Sequence, residues 1–278
     1  MNLIVEKRTK GRHMKEKKLY LFDLDGTLIL GQDVIDGAVK VLQDIKAAGK
    51  EFMIFTNNSS RTRAQYVEKI KKMLKMDITE DEVATGGYTT GQYLLKNNKK
   101  RIFVVGTEKF KELLRDLGIT VVDDPKRENG SYNLDAVVIG LDAELRYDKL
   151  TKACEILTHE PGITYIGANP DMVYPVEDNV FYPDCGSICK LLSYAVGREP
   201  KFLGKPYAEI LDFCLESKNV SKDETVIIGD RLYTDIACGF NNGCDTILVL
   251  TGEAKREDVE TTEFKPTLVL DSVKDMKI

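Results

Sequence analysis

The stretch KLYLFDLDGT, residues 18–27, decides the fold class of this chain. It is a short apolar run that ends in carboxylates, as is typical of a strand buried in a parallel sheet. Apolar residues then recur at helical spacing between positions 38 and 48, and a second apolar run, EFMIFTNN (51–58), follows. This order predicts a right-handed βαβ unit.

The same pattern returns further along the chain. Strand-like runs at 102–105, 136–139 and 164–167 alternate with helical spacing around 109–117 and 147–158, and buried-strand runs resume at 225–230 and 246–250. Gly86-Gly87 is interpreted as a break before a short helix from Thr89 to Lys96, and Pro206 suits the first turn of a later helix. We therefore predict an α/β protein with a doubly wound, parallel-sheet (Rossmann-like) core and an inserted α/β cap domain. The predicted domains are the first part of the core at 1–98, in which 1–17 form a flexible arm, the cap at 99–199, and the second part of the core at 200–278.

The composition argues against several classes of protein. Hydrophobic residues make up 42% and charged residues 31% of the 278 residues, as in an ordinary soluble globular protein. The net charge of −5 argues against a general nucleic-acid binder, and no apolar run reaches the ~20 residues needed to cross a bilayer. Six cysteines without a CxxC pair indicate reduced thiols. We predict a cytoplasmic protein with neither a membrane nor a nucleic acid as a stable partner.

Polar side chains follow three of the predicted core strands. In open parallel sheets the functional site lies beyond the carboxyl ends of the strands, so these side chains are expected to meet there. Three carboxylates in one place would repel one another, and Mg²⁺, a hard cation that takes oxygen ligands, resolves that repulsion. Lys205 adds a positive charge that could neutralise a nucleophile and a phosphoryl oxygen together. The strand-end residues are Asp23, Asp25, Thr56, Asn57, Asn58, Asp230 and, one turn into the next helix, Asp235.

A calcium-binding loop is the main alternative interpretation of the DLDG stretch. A loop of the EF-hand type requires Gly at its sixth position and Glu at its twelfth. Counted from Asp23, those positions hold Leu28 and Val34. The EF-hand interpretation therefore fails, and a plain solvated turn does not explain why an apolar strand precedes each polar end.

Four segments together resemble the motifs of the haloacid dehalogenase superfamily. FDLDGT (22–27) is similar to its DxDGT motif, and FTNN (55–58) to its second motif, a strand ending in Thr or Ser. GKP (204–206) is similar to the lysine motif, and GDRLYTD (229–235) to the acidic fourth motif. One DxD alone would be weak support, but four motifs in order span nearly the whole chain.

The resemblance implies a role for each of these residues. Asp23 is similar to the nucleophile that forms an aspartyl-phosphate intermediate, and Asp25 to the general acid and base. The implied Mg²⁺ ligands are the side chains of Asp23 and Asp230 and the backbone carbonyl of Asp25, with Asp235 orienting water around the metal. The implied phosphate-binding residues are Thr56, Asn57 through its backbone, Asn58 and Lys205.

The insertion resembles the large α/β cap of one branch of this superfamily. That branch contains 4-nitrophenyl phosphatases, sugar-phosphate and glycerol-phosphate phosphatases, and pyridoxal-phosphate phosphatase. GANPDMVYP (167–175) and DCGSI (184–188) look like its NPD segment and small-residue turn, although Cys185 is a departure. The resemblance implies that Tyr174 contacts the leaving group, and packing at the cap surface is the alternative. Asn169 and Asp171 are expected to fix the loop or hinge, and a homodimer is implied.

The sequence therefore predicts a Mg²⁺-dependent phosphatase that hydrolyses small phosphomonoesters. A phosphotransferase or phosphomutase, which passes the phosphoryl group to a sugar instead of water, is one alternative. A non-catalytic binding protein on the same fold is another, and it should lack one of the four motifs, whereas all four are present here.

Overall fold

The computed structural model describes residues 16–175 and 180–278. Most of the predicted flexible arm, residues 1–15, therefore lies outside the described residues. Lys17, which was predicted to belong to that arm, is buried, and its ammonium lies 2.6 Å from the Asp245 carboxylate and 2.5 Å from the Asp223 carbonyl oxygen. The chain is thus anchored at Lys17, immediately before the first strand.

The structure has the predicted α/β class, and the chain groups into two compact units. The first unit comprises residues up to 56, 66–84 and 205–278, and the second comprises 57–65 and 85–204. The domain boundaries expected from sequence, at 98/99 and 199/200, stay a prediction. No helix within 16–175 or 180–278 has the length and apolar character that crossing a membrane requires.

The first unit is built on a six-stranded sheet with the order β15-β14-β13-β1-β4-β5. Strand β1 pairs in parallel with both β13 and β4, and the β13–β14 and β14–β15 pairs are also parallel. The chain moves from β1 to β4 on one side and from β13 to β14 on the other, so the switch point of the sheet lies between β1 and β13. The strands are β1 (Leu19–Phe22), β4 (Glu51–Thr56), β5 (Val83–Thr85), β13 (Thr225–Gly229), β14 (Asp245–Val249) and β15 (Leu268–Leu270), with a small hairpin of β2 (Ile29–Leu30) and β3 (Asp33–Val34).

Alternation along β1 supplies both faces of this sheet with core residues. Tyr20 and Phe22 belong to one buried apolar cluster, whereas Leu19 and Leu21 belong to another. A strand that is apolar on both sides must be covered on both sides, as the continuous run LYLF predicts. The associated helices are α1 (Ala38–Ala47), α2 (Arg63–Leu74), α7 (Ala208–Lys218), α8 (Ala237–Asn242) and α9 (Asp258–Thr261), with 3₁₀ turns at Glu80–Glu82 and Val273–Asp275 and a π-helical turn at Leu232–Ile236.

Two local expectations in this unit differ from the structure. Pro206 was expected in the first turn of a helix, but α7 begins at Ala208 with Tyr207 as its N-cap. Asp235 was expected one turn into the helix after β13, but it lies in the π-helical turn that precedes α8. Its backbone N–H and that of Ile236 both donate to the Arg231 carbonyl oxygen, which forms a wider turn than an α-helix has.

The second unit contains a five-stranded parallel sheet with the order β12-β9-β8-β6-β7. The strands are β6 (Arg101–Val105), β7 (Thr120–Val121), β8 (Ala136–Ile139), β9 (Thr164–Gly167) and β12 (Lys201–Phe202), and an antiparallel hairpin joins β10 (Val173–Pro175) to β11 (Phe181–Pro183). The helices are α3 (Gly86–Lys96), α4 (Glu108–Asp116), α5 (Tyr147–His159) and α6 (Cys185–Val196).

Helix α3 begins three residues earlier than the predicted Thr89. The pair Gly86-Gly87 was interpreted as a break, but both glycines are buried inside the helix. Thr85 caps the helix by accepting a hydrogen bond from the Tyr88 N–H at 3.2 Å. A Cβ on Gly86 would lie 2.3 Å from the carbonyl oxygen of Asn57, so the glycine permits a close backbone approach. Packing, and not a turn, explains the glycine here.

Candidate active site

Three carboxylates meet at the switch point of the first unit's sheet. Asp23 directly follows β1, Asp230 directly follows β13, and Asp235 lies in the adjoining π-helical turn. The parallel register, which aligns Phe22 with Ile228, brings the ends of β1 and β13 level, and the Asp23 N–H donates to the Ile228 carbonyl oxygen at 2.8 Å. One oxygen from each carboxylate lies within 4.8 Å of the others. The strand-end residues thus converge as the sheet topology predicts.

Lys205 places a buried ammonium group among these carboxylates. Its Nζ lies 2.6 Å from Asp23 Oδ1, 2.6 Å from Asp235 Oδ1 and 2.9 Å from the carbonyl oxygen of Phe55. A lysine ammonium has three N–H donors, so these contacts use all of them. Burial acts to lower the pKa of Lys205, but the charges of Asp23 and Asp235 outweigh burial and leave that pKa raised. The side chain therefore stays a fixed cation.

The carboxylates themselves are electrostatically crowded. Burial raises the pKa of Asp23 well above its usual range despite the adjacent Lys205, and the charges of Asp235 and Asp230 act in the same direction as burial. Burial, followed by the charge of Asp235, raises the pKa of Asp230 to about 6. One ammonium among three carboxylates leaves an excess of negative charge, which a further cation would relieve.

The oxygen atoms fit a hard divalent cation. Both carboxylate oxygens of Asp235 already accept hydrogen bonds, Oδ1 from Lys205 and Oδ2 from the Arg231 N–H at 3.1 Å. Asp230 Oδ2 accepts the Glu253 N–H at 2.8 Å, whereas Asp230 Oδ1 is buried and has no hydrogen-bond partner among the residues that the structure describes. Carboxylate oxygens are the donors that Mg²⁺ and Ca²⁺ take. The geometry favours Asp23 and Asp230 as ligands, with Asp235 in a supporting position.

The segment Thr251–Ala254 after β14, which we call the TGEA segment, supports Asp230 and was not identified from sequence. Besides the Glu253 contact, the Ala254 N–H donates to the Asp230 carbonyl oxygen at 3.1 Å, and Thr251 Oγ1 donates to the Gly26 carbonyl oxygen at 2.6 Å. A Cβ on Gly252 would lie 2.0 Å from Asp230 Oδ2, and one on Gly26, where φ is +84°, would lie 2.4 Å from it. The carboxylate of Asp230 is therefore confined by two glycines.

The other predicted residues of the first unit, Asp25 and Thr56, lie just after β1 and at the end of β4. Asp25 is exposed, whereas Leu24 before it is fully buried, so the two side chains face different ways. The N–H groups of Leu28 and Ile29 donate to the Leu24 carbonyl oxygen and close the turn that carries Asp25. Thr56 is the buried last residue of β4.

Asn57, Asn58 and Tyr174 belong to the second unit. The Asn57 side-chain amide contacts both carboxylate oxygens of Asp171 at 3.2 Å, and the Asn57 carbonyl oxygen accepts a hydrogen bond from Asn169 Nδ2 at 2.9 Å. The NPD segment therefore holds the residue that directly follows Thr56, in line with the loop-fixing role expected for Asn169 and Asp171.

The side chains of Asn58 and Tyr174 have local contacts within the second unit. Asn58 Oδ1 accepts hydrogen bonds from the Ser60 N–H and hydroxyl at 2.9 Å, which forms a local turn. Tyr174 packs edge-to-face on Tyr182 across the β10–β11 hairpin, with ring centroids 5.8 Å apart. The structure thus brings together Asp23, Lys205, Asp230 and Asp235, and places Asn57, Asn58 and Tyr174 in the other unit.

Comparisons with known proteins agree with this architecture. The family description "Haloacid dehalogenase-like hydrolase" matches residues 20–120, and the description "HAD-hydrolase-like" matches residues 202–276. The chain is 35% identical over 266 residues to an acid sugar phosphatase of Staphylococcus epidermidis, covering 95% of this chain and 97% of the relative. It is 34% identical over 263 residues to the 5'-nucleotidase YutF of Bacillus subtilis, covering 94% of this chain and 97% of the relative.

A solved structure is similar over the same length. The crystal structure of a 4-nitrophenylphosphatase from Thermotoga maritima superposes with a TM-score of 0.86 at 36% identity, and the match covers 95% of this chain and 97% of that one. These similarities extend across both units and all four motifs. The chain belongs to the haloacid dehalogenase-like hydrolases, in the branch with a large α/β cap, and it is an enzyme of that family.

Proposed function

We propose that this protein is a Mg²⁺-dependent phosphatase that hydrolyses small phosphomonoesters through an aspartyl-phosphate on Asp23. The observation that carries the proposal is the grouping of Asp23, Asp230 and Asp235 around the buried ammonium of Lys205 at the sheet's switch point. Phosphoryl transfer requires mainly positioning and charge stabilisation, and these four side chains supply fixed charges of both signs.

The proposed reaction has two displacement steps. In the first, an Asp23 carboxylate oxygen attacks phosphorus, the bond from phosphorus to the ester oxygen breaks, and Asp25 gives its proton to the leaving alkoxide. In the second, water attacks the same phosphorus, Asp25 takes a proton from that water, and inorganic phosphate leaves Asp23. The exposed position of Asp25 suits a group that must exchange protons with the substrate and with water.

Fixed donors and a cation hold the phosphoryl group in this proposal. Lys205 neutralises charge beside Asp23, while Thr56, the backbone of Asn57, and Asn58 complete the phosphate site. Mg²⁺ held by Asp23, Asp230 and the backbone carbonyl of Asp25 would stabilise the charge that develops on the phosphoryl oxygens. Asp235, which accepts from Lys205 and the Arg231 N–H, keeps the lysine in place.

The proposed substrates are phosphate esters of sugars and nucleosides. This choice draws on the names of the relatives, an acid sugar phosphatase and a 5'-nucleotidase, in which the phosphate ester is carried by a sugar. Tyr174 in the β10–β11 hairpin is the proposed contact to the leaving group. A cytoplasmic location, in keeping with six free cysteines, and a homodimer are further parts of the proposal.

The function is tested by inorganic phosphate release from a panel of esters. We expect release from 4-nitrophenyl phosphate and, faster, from one or more sugar phosphates or nucleoside 5'-monophosphates, because Asp23 lies beside the Lys205 ammonium and beside carboxylates that could bind Mg²⁺. A parallel assay with added alcohol measures phosphoryl transfer. Transfer without phosphate release would identify a phosphotransferase, and no turnover of any ester would contradict both activities and favour a binding protein.

Removal of the divalent cation should stop hydrolysis reversibly. Without the cation, Asp23 and Asp230 would lack its neutralising charge, so the carboxylate nucleophile would repel the phosphate dianion of the substrate more strongly. Treatment with EDTA followed by desalting should reduce the rate to background, and added MgCl₂ should restore it. Full activity in metal-free buffer, checked by elemental analysis for residual metal, would show that no cation is needed.

A further inference from the structure

Glu253 links the TGEA segment to the residue that follows Asp230. Its backbone N–H donates to Asp230 Oδ2 at 2.8 Å, while its side-chain Oε2 lies 3.0 Å from Arg231 Nε and accepts the Tyr233 hydroxyl at 3.1 Å. The Arg231 Nε–H is not directed at an acceptor among the described residues, so its contact with Glu253 is an ion pair. Glu253 therefore connects the TGEA segment to the segment that contains Asp230, Arg231 and Tyr233.

These contacts decide which oxygen of Asp230 is left for a ligand. The Glu253 N–H occupies Oδ2, and Gly252 and Gly26 leave no room for the carboxylate to move on the Oδ2 side, since a Cβ on either would lie 2.0 or 2.4 Å from that atom. Oδ1 is buried and has no partner among the described residues, and one carboxylate oxygen of Asp230 lies within 4.8 Å of one of Asp23. A displaced TGEA segment would release this constraint.

Arg231 also needs Glu253 for an electrostatic reason. The carboxylates of Asp23, Asp230 and Glu253 are among the negative charges that act on the Arg231 guanidinium, and Glu253 lies 3.0 Å from its Nε. An Arg231 side chain without Glu253 would be drawn further toward Asp23 and Asp230, where it would compete with a divalent cation. The ion pair is partly exposed, at 22% and 47% of the two side chains, so it adds little to global stability.

We propose that Glu253, held by Arg231 and Tyr233, is a positioning residue for the divalent cation, because the segment that it anchors occupies one carboxylate oxygen of Asp230 and leaves the other for the cation. This inference rests on the proposed function, in that it assumes a cation at Asp23 and Asp230. It predicts that loss of the Glu253 carboxylate weakens cation binding without unfolding the protein.

The test compares two variants of equal charge. Glu253→Gln keeps the backbone N–H and the shape of the side chain but removes its charge. Asp271→Asn removes one negative charge from another ion pair of the same unit, with Arg256 at 2.5 Å, where both side chains are exposed. Mg²⁺ binding is measured by calorimetry on the full chain after EDTA treatment, and the rise in Tm with MgCl₂ is measured in parallel.

We expect Glu253→Gln to raise the Mg²⁺ dissociation constant by about 10-fold, as is typical of changes to residues that support metal ligands. Its Tm in metal-free buffer should match that of wild type, and its activity should rise again as MgCl₂ is increased. Tyr233→Phe should change the constant in the same direction by less, and Asp271→Asn should not change it.

Two kinds of result would overturn the inference, and they are distinguishable. If wild type binds Mg²⁺ but Glu253→Gln binds it equally well, or if Asp271→Asn weakens binding as much, Glu253 does not position the cation, and the proposed function stands. If wild type takes up no Mg²⁺ in calorimetry, the proposed metal dependence itself fails, and the role of Glu253 fails with it.

Discussion

Replacement of Asp23 by Asn should abolish phosphate release while the protein remains folded. The amide is nearly isosteric with the carboxylate, and the backbone N–H that donates to Ile228 is unaffected. An amide cannot attack phosphorus and form the covalent intermediate, so we expect kcat to fall on the order of 10⁴-fold or more. The measurements are kcat on the best ester of the panel and the Tm of both proteins.

Asp33→Asn is the matched control, because Asp33 is an exposed aspartate of the β2–β3 hairpin in the same unit. It should hydrolyse the substrate at the wild-type rate. Acid quenching of wild type with ³²P-labelled substrate should trap label on the protein, and Asp23→Asn should trap none. Turnover by Asp23→Asn within tenfold of wild type would falsify the assignment of Asp23 as nucleophile.

Replacement of Lys205 by Met should impair both activity and stability. Met has a similar length and suits a buried position, but the two carboxylates that Lys205 contacts at 2.6 Å would lose their counter-charge. Removing one partner of a buried ion pair costs about 3–5 kcal/mol in the free energy of unfolding. Loss of a preorganised charge beside the reacting group should lower kcat by roughly 10²–10³-fold. Urea denaturation without metal and steady-state kinetics with saturating Mg²⁺ measure the two effects.

Two further variants separate the effect of losing a buried positive charge from the effect of losing an exposed one. Lys40→Met removes an exposed ammonium paired with Asp44 at 2.6 Å, and its cost should stay within about 1 kcal/mol. The double variant Lys205→Met/Asp235→Asn removes one of the two orphaned carboxylates, so it should recover part of the stability but none of the activity. A Lys205→Met protein as stable and as active as Lys40→Met would show that the buried ammonium carries neither role.

The sequence was sufficient to predict the convergence of the carboxylates. Each motif directly follows an apolar strand, and parallel pairing places the ends of such strands side by side, so Asp23 and Asp230 were expected together. Lys205 was predicted from its motif. Its burial and the three oxygen atoms that its ammonium contacts depend on tertiary packing, which no local sequence pattern encodes.

The TGEA segment could not be predicted in the same way. Its contacts with Asp230 come from backbone N–H groups and from the missing side chain of Gly252, and neither of these has a residue-type signal of its own. The Gly86-Gly87 pair was also misinterpreted from sequence, because glycine suggested a break. In the structure Gly86 allows the helix backbone to approach the Asn57 carbonyl oxygen closely. Asp235 was expected one turn into the helix after β13, whereas it lies in a π-helical turn, a rare conformation that occurs mostly as a single turn.

The position of β1 in the sheet has a consequence for the order in which the protein is made. β1 lies between β4 and β13, and the roughly 200 residues between β1 and β13 require about 10–40 s of synthesis at ~5–20 residues per second. All five strands of the second unit's sheet emerge before β13 does. A growing chain therefore carries Asp23, the proposed nucleophile, from early in synthesis but gains Lys205 and Asp230 much later, so under the proposed mechanism unfinished copies would be inert toward phosphate esters.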